Sequence, residues 1–141
     1  MAITNEYVAG LFDGEGCIQA ARNSKGGNRR LQVTIRNSHQ GVLRLIQARW
    51  GGSICRTKPR DNRAASYGWL ITSRGAIDFL RDIEPFLIIK RPEALTAFEF
   101  QNTMRSWGGS KGRLNEAERQ LRDEFSARLK SLKRAYREYE K

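Results

Sequence analysis

The sequence is poor in cysteine and histidine. Its two cysteines, Cys17 and Cys55, are far apart and lack CxxC spacing, and His39 is the only histidine. These counts argue against a disulfide framework, a structural zinc site and hydrolases built on several histidines. Any bound metal is therefore expected to be a hard cation held by oxygen ligands.

Long apolar runs are also missing. None approaches the roughly 20 residues that a membrane span needs, and the N-terminus lacks the layout of a secretion signal. We therefore expect an intracellular protein, in the cytoplasm or an organelle matrix, without a membrane partner. The 141 residues suit one compact domain over 1–141, with C-terminal helices from about 92 onward.

Acidic residues are almost absent from the window between positions 19 and 74, where Asp61 stands alone. Twelve basic residues give this window the whole net charge of +11: Arg22, Lys25, Arg29, Arg30, Arg36, Arg44, Arg49, Arg56, Lys58, Arg60, Arg63 and Arg74. The like charges in this window repel one another unless a polyanion binds them. Nucleic acid is the leading partner. An anionic membrane is second, since these residues do not form an amphipathic helix, and we expect no small-molecule substrate.

Hydrophobic periodicity predicts an α+β fold. Residues 29–36 alternate between apolar side chains (Leu31, Val33, Ile35) and polar ones, which is typical of a strand with one buried face. The element order is αββαββα, followed by further helices, which favours a concave antiparallel sheet with helices on one face. We predict that Ser38 caps the helix at 39–50, Ser73 the next helix and Asn115 the last one.

The segment from Val8 to Gly16, VAGLFDGEG, carries the most specific signal. Six of its nine positions agree in identity or charge with the signature of the LAGLIDADG homing endonucleases, which the chain resembles from about Tyr7 to Pro92. Gly14 replaces the nominal alanine of the signature. One copy of the motif resembles the homodimeric branch of that family.

The resemblance implies that Glu15 is a catalytic metal ligand, with the Gly14 carbonyl nearby. Two symmetry-related carboxylates would repel each other unless divalent cations lay between them and the DNA phosphates. Mg²⁺ fits this role, with Mn²⁺ as the alternative. Without the motif, Glu15 would be interpreted as an ordinary exposed carboxylate at a helix end.

The small residues of the motif would let two copies of the helix pack closely about a twofold axis. For this dimer interface we predict Val8, Ala9, Leu11, Phe12 and Asp13. Asp13 has a second, structural interpretation, in which it caps the partner helix or its own turn.

Lys90 follows a Pro-Phe-Leu turn, as does a lysine that approaches the active site in the family. The resemblance implies that Lys90 is catalytic and stabilises charge or polarises the attacking water; the alternative is a solvated lysine before a helix. The family often has a glutamine near the end of the second strand. Here Ile35 stands at that position, and Arg36, Asn37 or His39 could substitute for it.

A twisted two-stranded ribbon fits the major groove of DNA, where Gln32 can bind adenine and Arg30 guanine. The predicted DNA-binding residues share charge or polarity and lie on the first four strands and their connections: Gln19, Arg22, Asn23, Lys25, Arg29, Arg30, Gln32, Thr34, Arg36, Arg56, Lys58, Arg60 and Arg63. Of these, Arg22, Lys25, Arg29, Lys58, Arg60 and Arg63 suit phosphates, which add affinity more than specificity.

The leading hypothesis is a metal-dependent endonuclease that makes a double-strand break in a long pseudo-palindromic DNA site. One alternative is a non-cleaving DNA-binding regulator or intron RNA maturase on the same scaffold. Another is a basic RNA-binding protein, which would need Tyr67 and Trp69 to stack bases on an open sheet face. We expect both aromatics to lie mostly in the core.

Overall fold

The computed structural model describes residues 2–22, 25, 27–58, 65–103 and 116–139, with side chains to 135. Its elements are α1 (Asn5–Glu15), β1 (Gly16–Arg22), β2 (Arg29–Asn37), α2 (Gln40–Trp50), β3 (Ser53–Thr57), β4 (Ser66–Thr72), α3 (Ser73–Ile83), α4 (Arg91–Thr103) and α5 (Glu116–Tyr139). This order confirms the αββαββα prediction. No helix in the described ranges has the length and apolarity to cross a membrane.

Local chemistry fixes both ends of α1. The Thr4 hydroxyl accepts a hydrogen bond from the Tyr7 backbone N–H at 3.2 Å, which satisfies a donor that the first turn leaves unpaired. At the other end the chain turns into β1 at Gly16, whose N–H donates to the Phe12 carbonyl. A Cβ at Gly16 would overlap the Phe12 ring, so the motif needs glycine here.

The four strands form one antiparallel sheet in the order β1-β2-β4-β3. Burial alternates along β2: Leu31, Val33 and Ile35 are fully buried, as their period of two predicted. The helices cover that face, and the opposite face carries the polar residues of the strands.

Aromatic side chains join the sheet to the helices. Phe79 lies with its ring centroid 4.9 Å from those of Trp50 and Trp69 and 5.6 Å from that of Phe12. Trp69 and Phe12 are fully buried. The buried face of α1 is therefore part of the chain's own core.

Two predicted helix caps were wrong. His39, not Ser38, caps α2, because its Nδ1 accepts from the Val42 N–H at 3.1 Å. Ser73 is the first residue of α3, with a φ of 53°, and Thr72 precedes it without a side-chain cap bond. Asn115 lies outside the described residues.

The last two helices close the fold around β1. Phe100 of α4 and Phe125 of α5 meet edge to face, with centroids 5.3 Å apart. Helix α5 packs along β1 and buries Leu129. Because β1 is an edge strand, this helix covers backbone groups that have no neighbouring strand.

Candidate nucleic-acid interface and metal site

Strand register divides the side chains of the sheet between two faces. Gln19 lies opposite Gln32, and Cys17 opposite Thr34, so both pairs share the face away from the helices. We call this the open face; its members in β1 and β2 are Cys17, Gln19, Ala21, Arg30, Gln32, Thr34 and Arg36. It is polar and basic, as predicted.

Aromatic residues are absent from the open face within the described strands. Trp69 is fully buried and Tyr67 is half-buried on the face that the helices cover. The sheet therefore lacks the stacking platform that the RNA-binding hypothesis required.

Arg22 and Arg29, which were predicted to bind DNA phosphates, lie on the helix-covered side of the sheet. Arg29 Nε lies 2.6 Å and Arg22 Nη2 3.5 Å from Asp123 Oδ1 on α5. The hydrogen bond from Arg29 holds the pKa of Asp123 below its usual range. These two arginines attach the β1–β2 hairpin to α5.

Arg56 is also placed away from the open face. It lies opposite Tyr67 in the β3–β4 register and is exposed at the edge of the helix-covered side. Lys25 and Lys58 are exposed beyond the strand ends. Asn23, Arg60 and Arg63 lie outside the described residues.

Glu15 is the last residue of α1, and its side chain is exposed, as is the adjacent Gly14. Within the described ranges no side chain bonds to the Glu15 carboxylate, and no group of three or more His, Cys, Asp or Glu residues gathers there. One chain therefore offers a single free carboxylate next to the start of β1.

Asp13 binds the segment that leads into α4. Its carboxylate accepts the backbone N–H groups of Ile88 (2.9 Å), Ile89 (3.2 Å) and Lys90 (2.9 Å). Asp13 therefore has a structural role, as one of its two interpretations predicted, but its donors do not come from its own turn: they lie in the same chain, 75 to 77 residues away.

Lys90 lies at the last turn of α1. Its Nζ donates to the Asp13 carbonyl oxygen at 2.6 Å, two residues before Glu15. This cation satisfies a carbonyl that the end of a helix leaves unpaired, and it lies at the negative end of the helix dipole. The structure thus brings Lys90 close to the backbone that carries Glu15.

Ile35 stands where the family often has a glutamine near the end of the second strand, and its three candidate substitutes have different roles. Ile35 is fully buried, so it cannot act in a polar site. Asn37 Oδ1 accepts from the His39 N–H at 2.8 Å, and His39 caps α2, so both serve the β2–α2 turn. Arg36 is exposed on the open face and remains the candidate.

Three of the predicted interface residues have no exposed surface. Val8, Ala9 and Phe12 are each 0% exposed within one chain, because α1 uses this face to cover its own core. These side chains therefore pack in the chain's own core and cannot contact a partner. Leu11 is half-buried at the margin.

A different face of α1 is open. Tyr7, Gly10 and Gly14 follow helical spacing, and a Cβ at either glycine would meet nothing within 4 Å. Tyr7 is 57% exposed, and the segment held by Asp13 adds Ile88, which is 85% exposed. We call this surface the α1 patch: Tyr7, Gly10, Leu11, Gly14, Phe86, Ile88 and Ile89.

Sequence reasoning missed Glu93 on α4 and Lys133 on α5. Glu93 is 7% exposed, and Lys133 Nζ donates to the Ile18 carbonyl at 2.7 Å. A signal was present, because Glu93 has the helical spacing of buried Ala97 and Phe100, and an acid in such a stripe needs a partner.

Known proteins resemble this chain in structure more than in sequence. No protein-family model and no curated protein sequence matches the chain. The archaeal intron-encoded homing endonuclease I-Vdi141I, complexed with DNA, matches with a TM-score of 0.68 at 20% identity, covering 91% of this chain and 82% of that chain.

Two further homing endonucleases match over most of this chain. I-CvuI, in complex with its target in the presence of Ca²⁺, has a TM-score of 0.60 at 18% identity and covers 89% of this chain and 93% of its own. Another I-CvuI structure, in complex with the I-CreI target in the presence of Mg²⁺, shows DNA that is not cleaved. The LAGLIDADG homing endonuclease I-GzeII, in complex with its DNA target, has a TM-score of 0.63 at 13% identity over 89% of this chain and 44% of that chain. The chain therefore has the fold of the LAGLIDADG homing endonucleases.

Proposed function

We propose that this chain is a LAGLIDADG homing endonuclease that cuts double-stranded DNA at a long pseudo-palindromic site as a homodimer. The observation that carries the proposal is the placement of Glu15: a free carboxylate at the end of the motif helix, directly before β1 of a polar, basic open face. A DNA strand lying on that face would pass the carboxylate.

The donor chemistry fits a divalent cation. Glu15 offers charged oxygen, and the end of α1 offers backbone carbonyls such as that of Gly14. Mg²⁺ binds one or two carboxylates together with phosphate oxygens and keeps several waters, so a single acid per chain is sufficient. When bound, the cation supplies charge neutralisation at the scissile phosphate; we propose Mg²⁺, with Mn²⁺ able to replace it.

The α1 patch supports the homodimer. Exposed apolar side chains such as Tyr7 and Ile88 are typical of interaction sites, and Gly10 and Gly14 leave room for a second helix at close range. A twofold axis through α1 would bring two Glu15 residues together. The match to I-GzeII covers 44% of that longer polypeptide. A chain of that length could hold two units of this size, as a homodimer of this chain would.

Lys90 is proposed to act beside Glu15. Its ammonium group already lies at the last turn of α1, where it can add positive charge near the reacting phosphate. Arg30, Gln32, Thr34 and Arg36 are proposed to contact base edges and phosphates from the open face, together with Gln19.

A selection experiment tests the proposal and finds the target site at the same time. Plasmids with randomised palindromic inserts are incubated with the purified protein and Mg²⁺, and linearised sequences are recovered. Wild type is expected to cut a narrow set of sites. Glu15→Gln should bind those sites with unchanged affinity and cut them at least about 100-fold more slowly.

Glu6→Gln is the matched control, since it removes an exposed carboxylate from the other end of the same helix. It should cut like the wild type. Equal cleavage by wild type and Glu15→Gln would refute the metal-ligand role. Tight, site-specific binding without cleavage by the wild type would instead support a regulator or maturase.

A further inference from the structure

Two lysines bind backbone carbonyls on either side of Glu15. Lys90 Nζ donates to the Asp13 carbonyl at 2.6 Å, and Lys133 Nζ donates to the Ile18 carbonyl at 2.7 Å. Lys133 also lies 3.4 Å from Cys17 Sγ. The stretch between these carbonyls includes the end of α1, Glu15 and the start of β1.

Both carbonyls need donors from outside their own elements. Asp13 is in the last turn of α1, where carbonyls have no helical partner. Ile18 is on β1, which pairs with β2 alone among the described strands, so its outer edge has no strand partner there. The lysines therefore supply bonds that neither the helix nor the sheet can provide.

Glu93 on α4 is a buried acid within the electrostatic reach of both lysines. It is only 7% exposed, and its Oε1 has no hydrogen-bond partner among the described residues. Burial raises the pKa of Glu93, while the charges of Lys133 and Lys90 act in the opposite direction and favour the carboxylate.

We propose that Lys133 is a positioning residue for the metal ligand: with Glu93 as its counter-charge, it fixes the start of β1 so that Glu15 is held in place from both sides. The proposal rests on the proposed function, which makes Glu15 the metal ligand. Neither Lys133 nor Glu93 touches the cation or the DNA in this scheme.

The Glu15 side chain lacks a partner among the described side chains, which explains why anchors on the neighbouring backbone are useful. Its side chain has no bond to another described side chain, so its location depends on the backbone of residues 13 to 18. A ligand displaced by about 1 Å can cost a hundredfold in rate. Anchors on both sides of the turn limit that displacement before DNA or metal arrives.

Lys130 provides a matched control. It lies on the same helix as Lys133, is exposed and has the same charge, but it forms no hydrogen bond with the described residues of β1. If Lys133 acted only by adding positive charge near DNA, Lys130→Gln and Lys133→Gln would have similar effects. If it positions the turn, only Lys133→Gln should matter.

Hydrogen–deuterium exchange of the 141-residue chain, without metal or DNA, measures the turn directly. Lys133→Gln is expected to speed exchange of the amides of residues 14 to 18 at least tenfold and leave α2 unchanged. Lys130→Gln should match the wild type, and Lys133→Arg should restore most of the protection. Equal exchange in Lys133→Gln and the wild type would overturn the proposal.

The metal requirement gives a second readout. Lys133→Gln should raise the Mg²⁺ concentration for half-maximal cleavage at least tenfold, with DNA affinity in Ca²⁺ within twofold of the wild type. A parallel loss of DNA affinity in both lysine variants would overturn the proposal in favour of a phosphate contact. Glu93→Gln, which keeps the side-chain shape, should give the same pattern if Lys133→Gln does not fold. A wild type that never cuts DNA would refute the proposed function, whereas the exchange data would still decide whether Lys133 fixes the turn.

Discussion

Lys90 Nζ lies 2.6 Å from the Asp13 carbonyl oxygen, while the Asp13 carboxylate accepts the backbone N–H of Lys90 at 2.9 Å. The two residues thus bind each other twice, through side chain and backbone in both directions. This reciprocal pair joins the end of α1 to the beginning of α4, close to Glu15. Its two halves can be separated by mutation.

Lys90→Met should keep the Asp13 carboxylate bonds and remove only the ammonium group. We expect cleavage to fall about 100-fold, because positive charge near the reacting phosphate is removed, with DNA affinity in Ca²⁺ nearly unchanged. Single-turnover cleavage and DNA titration measure the two effects. Arg91→Met, which removes an exposed neighbouring cation, is the control; equal losses in both variants would contradict a specific role for Lys90.

Asp13→Ala should instead reduce stability. Three backbone donors lose a charged acceptor, and hydrogen bonds to charged groups contribute about 1.5–3 kcal/mol, so we expect the free energy of unfolding to fall by about 2–3 kcal/mol. Urea unfolding is the measurement. Asp78→Ala, at an exposed position of α3, should change stability by less than about 0.5 kcal/mol.

Local periodicity is enough to predict the sheet. Alternation in β2 identifies Leu31, Val33 and Ile35 as buried and places Arg30 on the open face, because successive strand residues point to opposite sides. The motif likewise locates the end of α1 at Glu15. These inferences need only neighbouring residues.

Contacts between distant parts of the chain are what local patterns could not predict. Charge alone assigns Arg29 to DNA, yet its partner Asp123 lies 94 residues later on α5, beyond the reach of any local pattern. Arg56 cannot be assigned to a face until the β3–β4 register is known. For α1, small residues indicate close packing, but only the fold shows that Ala9 faces the core and Gly10 faces outward.

Gly14→Leu tests the α1 patch. A Cβ added at Gly14 meets nothing within 4 Å in one chain, so we expect the monomer to fold normally, but the leucine would fill the space that a second α1 needs. Overpacking costs about 1–3 kcal/mol, and we expect the dimer dissociation constant to rise at least tenfold in sedimentation equilibrium. Ala48→Leu places the same side chain at an exposed site on α2 and should leave the association unchanged.

Asp123 predicts a pH dependence of stability. Its pKa is held below the usual value of about 3.9 by Arg29. A depressed carboxyl pKa contributes stability that is present above the unfolded-state value and is lost as the pH falls through the folded-state value. The wild type should therefore exceed Asp123→Asn in stability at pH 7, by no more than about 1 kcal/mol because the pair is half-exposed.

That difference should shrink as the pH falls below about 3.9, which urea unfolding at several pH values can follow. Glu124→Gln, the adjacent exposed acid on α5, should show no such trend. A constant difference between wild type and Asp123→Asn at all pH values would show that the mutation acts through packing and not through the Arg29 ion pair.

Arg30 and Arg56 provide the sharpest test of which sheet face binds DNA. Both are strand arginines in the basic window, but Arg30 lies opposite Ala21 on the open face, whereas Arg56 lies opposite Tyr67 on the helix-covered side. Their replacement by glutamine removes the same charge from the two faces. A difference in DNA binding therefore reports position and not net charge.

Arg30→Gln should weaken specific binding by about 1–3 kcal/mol and relax the base preference at one position of each half-site, if it binds guanine. If Arg30 binds a phosphate, the weakening should be uniform across sequences and the salt slope should fall by about 0.9 for each phosphate no longer neutralised, hence by about 1.8 for a dimer. Arg56→Gln should alter affinity by less than about twofold, because it removes only long-range, salt-screened charge. Equal weakening by both variants would contradict the open face as the DNA-binding surface, since charge alone would then explain the binding.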